Sequence, residues 1–319
     1  MNIWITGAAG FVGSRLVRLL LEEGAVDFAH LLLLDRRSDQ IYADPRVEAM
    51  RGDFFDRELL AAASAYPPDW VFHLASIPGA LAEREFALGQ RVNLEGTLAL
   101  LEALRSFRRS PVVVFASSVA VYGSPLPPLV DDQTPASPSS SYGTQKRIGE
   151  LLLQDYTRRG YLDGRALRLP GIVARPPGPS GLASAFMSEL LRHLEAGIPY
   201  TLPVSPQAAM WWMSARCAAE NLLHAARLPL ASQEPRIFLL PALWASVEEV
   251  VAEGARLFGN DRKEMVRYQP DPELEARFGR YPPLEAKRAL AQGFHHDESL
   301  TNMMVRALED FSKALRQDR

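Results

Sequence analysis

The stretch Asn2-Ile-Trp-Ile-Thr-Gly7-Ala-Ala-Gly10-Phe-Val-Gly13-Ser14 decides the fold of this chain. Its first five residues are mainly apolar and predict a short buried strand, and leucines recur at helical spacing in the ten residues from Ser14 onward. A strand, a glycine-rich turn and a helix in this order place backbone N–H groups and the positive end of a helix where a pyrophosphate would bind. The stretch therefore predicts the first strand–helix unit of a dinucleotide-binding fold.

Each glycine of this turn has its own predicted role. Gly7 permits the tight turn, Gly10 lets the backbone approach the phosphates, and Gly13 allows the helix to pack closely on the strand. The spacing is GxxGxxG, whereas GxGxxG is commoner. On the motif alone, a glycine-rich turn without a ligand therefore stays an alternative.

The next predicted strand, His30-Leu-Leu-Leu-Leu-Asp35, ends in a carboxylate about 20 residues beyond the last glycine. A carboxylate there accepts a hydrogen bond from the adenosine 2′-OH and repels a 2′-phosphate, which favours NAD over NADP. Arg36 and Arg37 follow directly, and either guanidinium could bind a 2′-phosphate. Because Asp35 occupies the strand-end position, we predict NAD.

Strands and helices alternate through the first half of the chain, with further strands predicted over 47–51, 70–74, 112–117 and 165–169 and helices over 86–107 and 142–159. Such alternation indicates an α/β fold of the Rossmann type, a doubly wound parallel sheet with helices on both faces. Ligands of such sheets bind at the carboxyl ends of the strands. Those ends are expected at Gly7, Asp35, Asp53, Ala75, Ser118 and Pro170.

The sequence beyond Pro170 changes in character. A proline-rich loop at 175–180 and proline residues between 199 and 206 separate helices predicted at 182–194, 214–226 and 246–258. This part is too irregular to continue the sheet by itself. We therefore predict an NAD-binding domain over 1–170 and a smaller, mainly substrate-binding lobe over 171–319, some segments of which return to the first domain.

Composition favours a soluble enzyme. The chain of 319 residues has a formal net charge of −3 and no basic block suited to nucleic acid. No apolar run approaches the length that spans a membrane, and because the chain begins in a strand we expect no signal peptide. Neither a nucleic acid nor a membrane is expected as a partner, and the cytoplasm is the expected location. The single cysteine, Cys217, is expected to be a small packing residue.

Tyr142 and Lys146 are four residues apart in the run Ser-Tyr-Gly-Thr-Gln-Lys, so on a helix they share one face. A phenol titrates near ~10, and bringing its pKa to ~7 takes about 4 kcal/mol. A cation roughly 4 Å away at an effective dielectric constant of ~20 supplies about that much. The pair can therefore provide a tyrosinate general base at neutral pH.

Several motifs occur together in a characteristic order, and on them the chain resembles the extended short-chain dehydrogenase/reductases, the superfamily of NAD-dependent epimerases and dehydratases. The resemblance covers nearly the whole chain. The motifs are Thr6-Gly-Ala-Ala-Gly-Phe-Val-Gly13, Gly52-Asp53, His73-Leu-Ala-Ser76, Asn93-Leu-Glu-Gly-Thr97, Ser117-Ser-Val-Ala-Val-Tyr-Gly123 and Tyr142-Gly-Thr-Gln-Lys146.

The resemblance implies roles for individual residues. Ser118 would hydrogen-bond the reacting oxygen, Tyr142 would move the proton, and Lys146 would hold the nicotinamide ribose and lower the Tyr142 pKa. It also implies NAD as cofactor, no metal, and a homodimer formed by a four-helix bundle of helices 86–107 and 142–159. The implied cofactor-binding residues are Gly7, Gly10, Phe11, Val12, Gly13, Asp35, Arg36, Asp53, Phe54, Leu74, Ala75, Ser76, Asn93, Tyr142, Lys146 and Pro170.

Within this family the D-erythronate dehydrogenases, which oxidise the 2-hydroxyl of a four-carbon sugar acid with NAD, are most similar in segments 73–93, 142–164 and 167–176. Two departures leave room for a different small acid. Gly171 stands where that branch usually has Thr. In the loop after the fourth predicted strand, Pro78-Gly-Ala80 replaces a more polar segment. A carboxylate substrate calls for a guanidinium partner. The predicted substrate-binding residues are Ser76, Ser118, Tyr142, Arg175 and Arg216.

Other functions are weighed on the same motifs. A 4,6-dehydratase is disfavoured because Val119 and Ala120 occupy the positions of its acidic pair after the catalytic hydroxyl. A nucleotide-sugar 4-epimerase with tightly bound NAD remains an alternative, since it needs only Ser118, Tyr142 and Lys146. A non-catalytic NAD(P)-binding sensor is less favoured, because such proteins usually lose the catalytic pair.

Some polar and aromatic residues have simpler interpretations. His73 at a strand end is expected to be hydrogen-bonded structure, and Arg168 within a strand is expected to be paired or packed. The tryptophans 211 and 212 are equally compatible with a pocket wall and with packing. His295-His296 lack cysteine or carboxylate at ligand spacing, which disfavours a metal site.

Overall fold

The computed structural model describes residues 1–37, 42–107, 109–178, 183–231 and 234–317, with side chains up to Glu309. Contacts divide the chain into two compact units. Unit 1 consists of Met1–Gly123, Ala136–Arg168 and Ala219–Phe238. Unit 2 consists of Ser124–Pro135, Leu169–Ala218 and Leu239–Arg319. The assignment of cofactor binding to the first part of the chain and of substrate binding to the second stays a prediction.

The strands in chain order are β1 (Asn2–Thr6), β2 (His30–Asp35), β3 (Val47–Arg51), β4 (Trp70–His73), β5 (Val112–Ser118), β6 (Val130–Asp131), β7 (Asp163–Leu169), β8 (Gly171–Val173), β9 (Tyr200–Leu202), β10 (Ala209–Ser214), β11 (Ile237–Leu239), β12 (Leu243–Ser246), β13 (Val266–Tyr268) and β14 (Leu284–Glu285). The α-helices are α1 (Phe11–Leu21), α2 (Arg57–Ala63), α3 (Gly79–Arg84), α4 (Phe86–Gly89), α5 (Gly96–Ser106), α6 (Ser141–Arg158), α7 (Ala185–Ala196), α8 (Ala215–Arg227), α9 (Val247–Phe258), α10 (Pro272–Phe278), α11 (Lys287–Ala291) and α12 (Leu300–Gln317).

The central sheet has seven strands in the order β11-β7-β5-β4-β1-β2-β3. The neighbouring pairs from β5 to β3 are all parallel. The chain runs from β1 through β2 to β3 on one side and then continues with β4 and β5 on the other, so the direction of winding reverses between β1 and β4. Such a switch point opens a crevice at the carboxyl ends of the strands. The predicted α/β class with a Rossmann-type sheet is confirmed.

The residues of β1 and β2 explain their central place. Ile3, Trp4, Ile5 and the four leucines of β2 are at most 3% exposed. Strands that are covered by helices on both faces carry continuous apolar runs of this kind. These buried strands therefore support the turns at their carboxyl ends.

The prediction of a single helix over 86–107 is wrong in one respect. Two α-helical pieces, α4 and α5, are joined by a π-helical segment at Gln90–Glu95. A π-helical turn inserts an extra residue into a helix and is frequent at functional sites. Apolar periodicity does not reveal it, because the helix continues on both sides.

The prediction that the sequence beyond Pro170 is too irregular to continue the sheet is wrong for one short segment. Strand β11 is an edge strand beside β7, and the backbone N–H of Ala166 donates to the carbonyl of Arg236 at 2.8 Å. A strand of three residues carries too little alternation to be recognised. Its return agrees with the expectation that some late segments rejoin the first domain.

Unit 2 contains a three-stranded sheet in the order β12-β10-β8 and a separate apolar core. Trp211 and Trp212, on β10, are at most 1% exposed, and their indole N–H groups donate to the carbonyls of Pro282 and Ala245. Of the two interpretations of these tryptophans, the structure shows packing. The predicted helix 182–194 is observed as α7, although Leu182 lies outside the described residues.

Candidate active site

The glycine turn has the geometry that its sequence predicted. Gly7 has φ +73°, and a Cβ atom added to it would lie 2.6 Å from the backbone nitrogen of Ala75. A Cβ atom on Gly13 would lie 2.1 Å from the carbonyl oxygen of Gly7. Any side chain at either position would therefore push the turn away from β4 or α1 away from the turn.

The start of α1 fits an anionic group. Gly10 is the N-cap residue and offers no side chain, and among the described residues of the first turn, Phe11 to Ser14, none is acidic. The positive end of the helix dipole is thus not neutralised by the helix itself. Phe11 and Val12 are half-buried in this first turn, where the pyrophosphate of a dinucleotide would lie.

Asp35 lies at the end of β2 against the glycine turn. One carboxylate oxygen accepts from the backbone N–H of Ala9 at 3.0 Å, and the other accepts from that of Arg37 at 2.9 Å. The guanidinium of Arg37 donates to the Ala9 carbonyl at 3.4 Å, and that of Arg36 lies 3.5 Å from Asp53. Both arginines thus contact protein groups, and the carboxylate occupies the strand end expected for a ribose partner.

The remaining predicted cofactor residues lie close to these strand ends in the sequence. Leu74, Ala75 and Ser76 follow β4, and Pro170 follows β7 directly. Phe54 is 5% exposed and packs its ring against that of His73, so a contact with the adenine would have to come from its backbone.

The Tyr142–Lys146 pair lies in the first two turns of α6. The hydroxyl of Ser140 caps the helix by accepting from the N–H of Gly143 at 3.1 Å. The Lys146 Nζ atom is 5.6 Å from the centre of the Tyr142 ring. The predicted sharing of one helix face by phenol and ammonium is confirmed.

Gly143 brings the start of α6 against the turn that follows Ser118. A Cβ atom at this position would lie 2.3 Å from the carbonyl oxygen of Ala120. Ser118 ends β5, and its hydroxyl accepts from the N–H of Ala120 at 3.2 Å. Close packing at Gly143 thus keeps the turn after Ser118 next to the helix start that bears Tyr142. The sequence contains this glycine, but nothing in its spacing identified the contact.

Lys146 is 3% exposed, and its ammonium is fixed by protein groups. Its Nζ donates to the Ala116 carbonyl at 2.7 Å and lies 4.8 Å from the centre of the Phe115 ring. Burial lowers the Lys146 pKa to about 7, although the nearby carboxylate of Glu150 acts in the opposite direction. Lys146 is therefore a buried cation that exchanges its proton near neutral pH.

Glu150, one turn after Lys146, is a functional neighbour that the sequence reasoning missed. Its carboxylate is fully buried and binds the guanidinium of Arg168 through two bonds of 2.9 Å. It also accepts from Ser117 at 2.6 Å and from Arg147 at 2.9 Å. The predicted pairing of Arg168 is confirmed. The i,i+4 spacing from Lys146 was the signal that could have revealed Glu150.

Asn93, in the π-helical segment, binds two other segments of the chain through its side-chain amide. Its Oδ1 accepts from the Ile77 N–H at 2.7 Å, and its Nδ2 donates to the Ile77 carbonyl at 3.0 Å and to Gln145 Oε1 at 2.7 Å. The side chain is 3% exposed. Asn93 therefore joins the segment after β4 to α6, and its binding of the cofactor stays a prediction.

His73 is a structural residue, as expected. Its ring nitrogens are hydrogen-bonded to the hydroxyls of Thr6 at 2.7 Å and Thr97 at 2.9 Å. Burial, with a smaller contribution from the charge of Lys146, lowers the His73 pKa to about 3. The ring is therefore neutral at physiological pH and links β1, β4 and α5.

Arg175 and Arg216 follow neighbouring strands at matched positions. Strands β8 and β10 of unit 2 are parallel, with Val173 paired to Ser214, so each arginine comes two residues after one member of that pair. Both are half-buried. In the sequence, β8 lies between β7 and the loop of Arg175, and it belongs to the three-stranded sheet, not to the central one. The two arginines thus follow the same edge of this sheet, the one formed by the carboxyl ends of β8 and β10.

Gly171, on β8, has a packing reason for being glycine. A Cβ atom there would lie 2.7 Å from both the Trp211 carbonyl oxygen and the Met187 Cε atom.

The single cysteine, Cys217, is a buried packing residue, and its Sγ atom lies 3.4 Å from the carbonyl oxygen of His295. Among the described residues, no group of His, Cys, Asp and Glu is arranged to hold a metal ion.

Comparison with known proteins identifies the class of enzyme. Residues 3–240 match the NAD dependent epimerase/dehydratase family, and the chain belongs to this family. It is 40% identical to D-erythronate dehydrogenase of Cupriavidus necator over 97% of this chain and 98% of that protein. It is 32% identical to D-erythronate dehydrogenase of Haemophilus influenzae over 97% and 99%.

A solved structure is similar over nearly the full length. The nucleoside-diphosphate-sugar epimerase from Agrobacterium tumefaciens shares 35% identity and a TM-score of 0.90, covering 98% of this chain and 95% of that one. The predicted family, the NAD-dependent enzyme class and NAD as the cofactor are confirmed. The glycine turn, the open start of α1 and Asp35 are the residues that fit this cofactor.

Proposed function

We propose that this enzyme oxidises the 2-hydroxyl of a small sugar acid, D-erythronate or a close relative of it, with NAD as the hydride acceptor. The observation that carries the proposal is the 40% identity to a D-erythronate dehydrogenase across 97% of the chain. The matched positions of Arg175 and Arg216 support an acidic substrate, because guanidinium groups bind carboxylates bidentately.

In the proposed reaction, the side chains of unit 1 hold and move the hydroxyl proton. Ser118 would hydrogen-bond the reacting oxygen, and Tyr142 would take its proton as general base. Lys146, held by the Ala116 carbonyl, would stabilise the phenolate and hold the nicotinamide ribose. NAD, when bound, accepts the hydride from the carbon that carries the hydroxyl. Arg175, Arg216 and Ser76 would orient the acid.

A nucleotide-sugar 4-epimerase is the second candidate. It is favoured by the similarity to the nucleoside-diphosphate-sugar epimerase from Agrobacterium tumefaciens. Such an enzyme would use the same Ser118, Tyr142 and Lys146 but would return the hydride to its substrate. It would therefore show no net reduction of NAD.

A homodimer in the cytoplasm is proposed as the working form. Large apolar side chains on the outer faces of the helices expected to pair are solvent-exposed, with Phe86 57%, Leu98 41% and Leu151 48% exposed. A four-helix bundle would cover them. Within the described ranges, the structure has no helix of sufficient length and apolar character to cross a bilayer.

The test is a screen of NAD reduction by the purified enzyme against four-carbon sugar acids and UDP-sugars, followed by absorbance at 340 nm. We expect reduction with D-erythronate or a similar 2-hydroxy acid and none with UDP-sugars. Conversion of a UDP-sugar to its 4-epimer, without turnover of any sugar acid, would replace the proposal with the epimerase.

A further inference from the structure

The segment from Ile77 to Arg84 follows β4, and the beginning of this segment is attached to α6. The Asn93 amide binds both backbone groups of Ile77 and also donates to Gln145 at 2.7 Å. Gly89 makes the packing close, since its Cβ atom would lie 3.1 Å from both Gln145 Nε2 and Ala82 Cβ. The beginning of the segment is thus joined through Asn93 to Gln145, the residue of α6 that directly precedes Lys146.

The same segment has a second attachment near its end. Glu83, in α3, accepts a hydrogen bond from the backbone N–H of Ser141 through one carboxylate oxygen, and its other oxygen lies 3.3 Å from the Ser141 hydroxyl. Ser141 is the first residue of α6 and directly precedes Tyr142. A carboxylate at this end of a helix is also favoured by the helix dipole.

The position of the segment makes these two attachments relevant to substrate binding. Strands β4 and β5 pair in parallel, with His73 opposite Phe115. Ser118, the proposed catalytic hydroxyl, ends β5, and the segment follows the carboxyl end of β4, the strand next to it in the sheet. Its two attachments to α6 are on either side of Tyr142 in the sequence.

We propose that Glu83 is a positioning residue that fixes the segment 77–84 against the start of α6 and so sets how the substrate binds beside Tyr142. The identity of the substrate rests on the proposed function. Glu83 acts on binding more than on turnover, because Tyr142 is also held by the Ser140 cap and by the packing of Gly143 on Ala120. The carboxylate is exposed, so solvent limits the strength of the contact.

The proposal is tested with Glu83→Ala, Glu83→Gln and the control Glu85→Ala, which removes a neighbouring exposed carboxylate. Glu83→Ala should raise KM for the acid about tenfold, with kcat and NAD affinity within about twofold of wild type. Glu83→Gln should recover part of the loss, because its amide oxygen still accepts from the Ser141 N–H. Glu85→Ala should behave as wild type.

Amide hydrogen exchange without substrate supplies an independent readout. Glu83→Ala should increase exchange in both 77–84 and 141–145, whereas Glu85→Ala should not. The proposal is overturned if Glu83→Ala matches Glu85→Ala in KM and exchange, or if kcat and KM change together without recovery in Glu83→Gln. A wild-type enzyme that oxidises no sugar acid would refute the proposed function, and the exchange measurement would still decide the role of Glu83.

Discussion

The start of α6 and the arginine edge of the three-stranded sheet differ in the burial of the cationic residues proposed to act there. In the first region, Lys146 is buried and bound to the Ala116 carbonyl, and Gly143 packs directly on the turn after Ser118. In the second region, Arg175 and Arg216 are half-buried residues just beyond the ends of β8 and β10. The comparison separates a buried lysine, which the fold holds close to Tyr142, from two arginines that are partly exposed.

The largest expected effect tests the first region. Tyr142→Phe removes the proposed base and should lower kcat by roughly the 10²–10⁴ attributed to general acid–base catalysis. NAD affinity, measured by fluorescence titration, should stay nearly unchanged. Tyr156→Phe, on the same helix but bonded to Glu102, is the matched control and should keep wild-type turnover. Turnover in Tyr142→Phe equal to that of the control would end the assignment.

The second prediction tests the arginine edge. Arg175→Ala or Arg216→Ala should raise KM for the sugar acid by about a hundredfold, which corresponds to ~3 kcal/mol for a charge-assisted pair. NAD binding should be unaffected. Arg256→Ala, a change of a 61% exposed arginine in unit 2, controls for the loss of charge. An unchanged KM in both variants would contradict the proposal that Arg175 or Arg216 binds the substrate carboxylate.

The third prediction concerns the pH dependence of stability. Burial places the Lys146 pKa at about 7 in the folded chain, below the ordinary value of 10.5. Below pH 7 Lys146 is protonated in both states, and the folded state bears the full cost of the buried charge. Between pH 7 and 10.5 only the unfolded state keeps the proton, so this cost falls as the pH rises. In that window Lys146 should make the free energy of unfolding rise with pH, by at most about 1.4 kcal/mol per pH unit.

The measurement is urea unfolding of the NAD-free protein at several pH values. Lys146→Met should lack the contribution and be stabilised relative to wild type most strongly below pH 7. Lys287→Met replaces a lysine that is 80% exposed and pairs with Glu285, so it should keep the wild-type slope. A wild-type slope in Lys146→Met would show that Lys146 is not the group responsible.

The smallest expected effect concerns cofactor choice. Asp35→Ser removes the carboxylate that faces the glycine turn and should narrow the preference for NAD over NADP, on the order of tenfold, since Arg36 or Arg37 could then bind the 2′-phosphate. Titration of both cofactors against wild type and variant measures the change. NADP binding to wild type as tightly as NAD would contradict the role of Asp35.

The same comparison explains which features could be predicted from the sequence. Strands β1 to β3 were predicted with their observed bounds, because each is followed by a glycine or ends at a charged residue, and β1 and β2 are apolar runs. The pairing of Tyr142 with Lys146 follows from helix geometry alone. In each case, the structure is determined by residues close together in the sequence.

Features that depend on distant residues were not predicted. The π-helical segment accompanies the contact of Asn93 with Ile77, the edge position of β11 depends on β7, and Gly171 is required by the carbonyl of Trp211. Glu83 has no motif around it, and the spacing of Glu150 from Lys146 does not reveal its bonds to Arg168, so only the fold shows the partners of these two carboxylates. Contacts between distant parts of a chain cannot be read from spacing.

The measurement that tests the central claim most directly is the fate of deuterium at C2 of D-erythronate. Wild-type enzyme is incubated with NAD and [2-²H]-D-erythronate, and the deuterium content of NADH and of the remaining acid is measured by mass spectrometry. We predict that each NADH formed carries one deuterium from C2, and that Tyr142→Phe forms it at least about a hundredfold more slowly. NADH without deuterium, or formation of no NADH while label is retained in the acid, would contradict oxidation at the 2-hydroxyl.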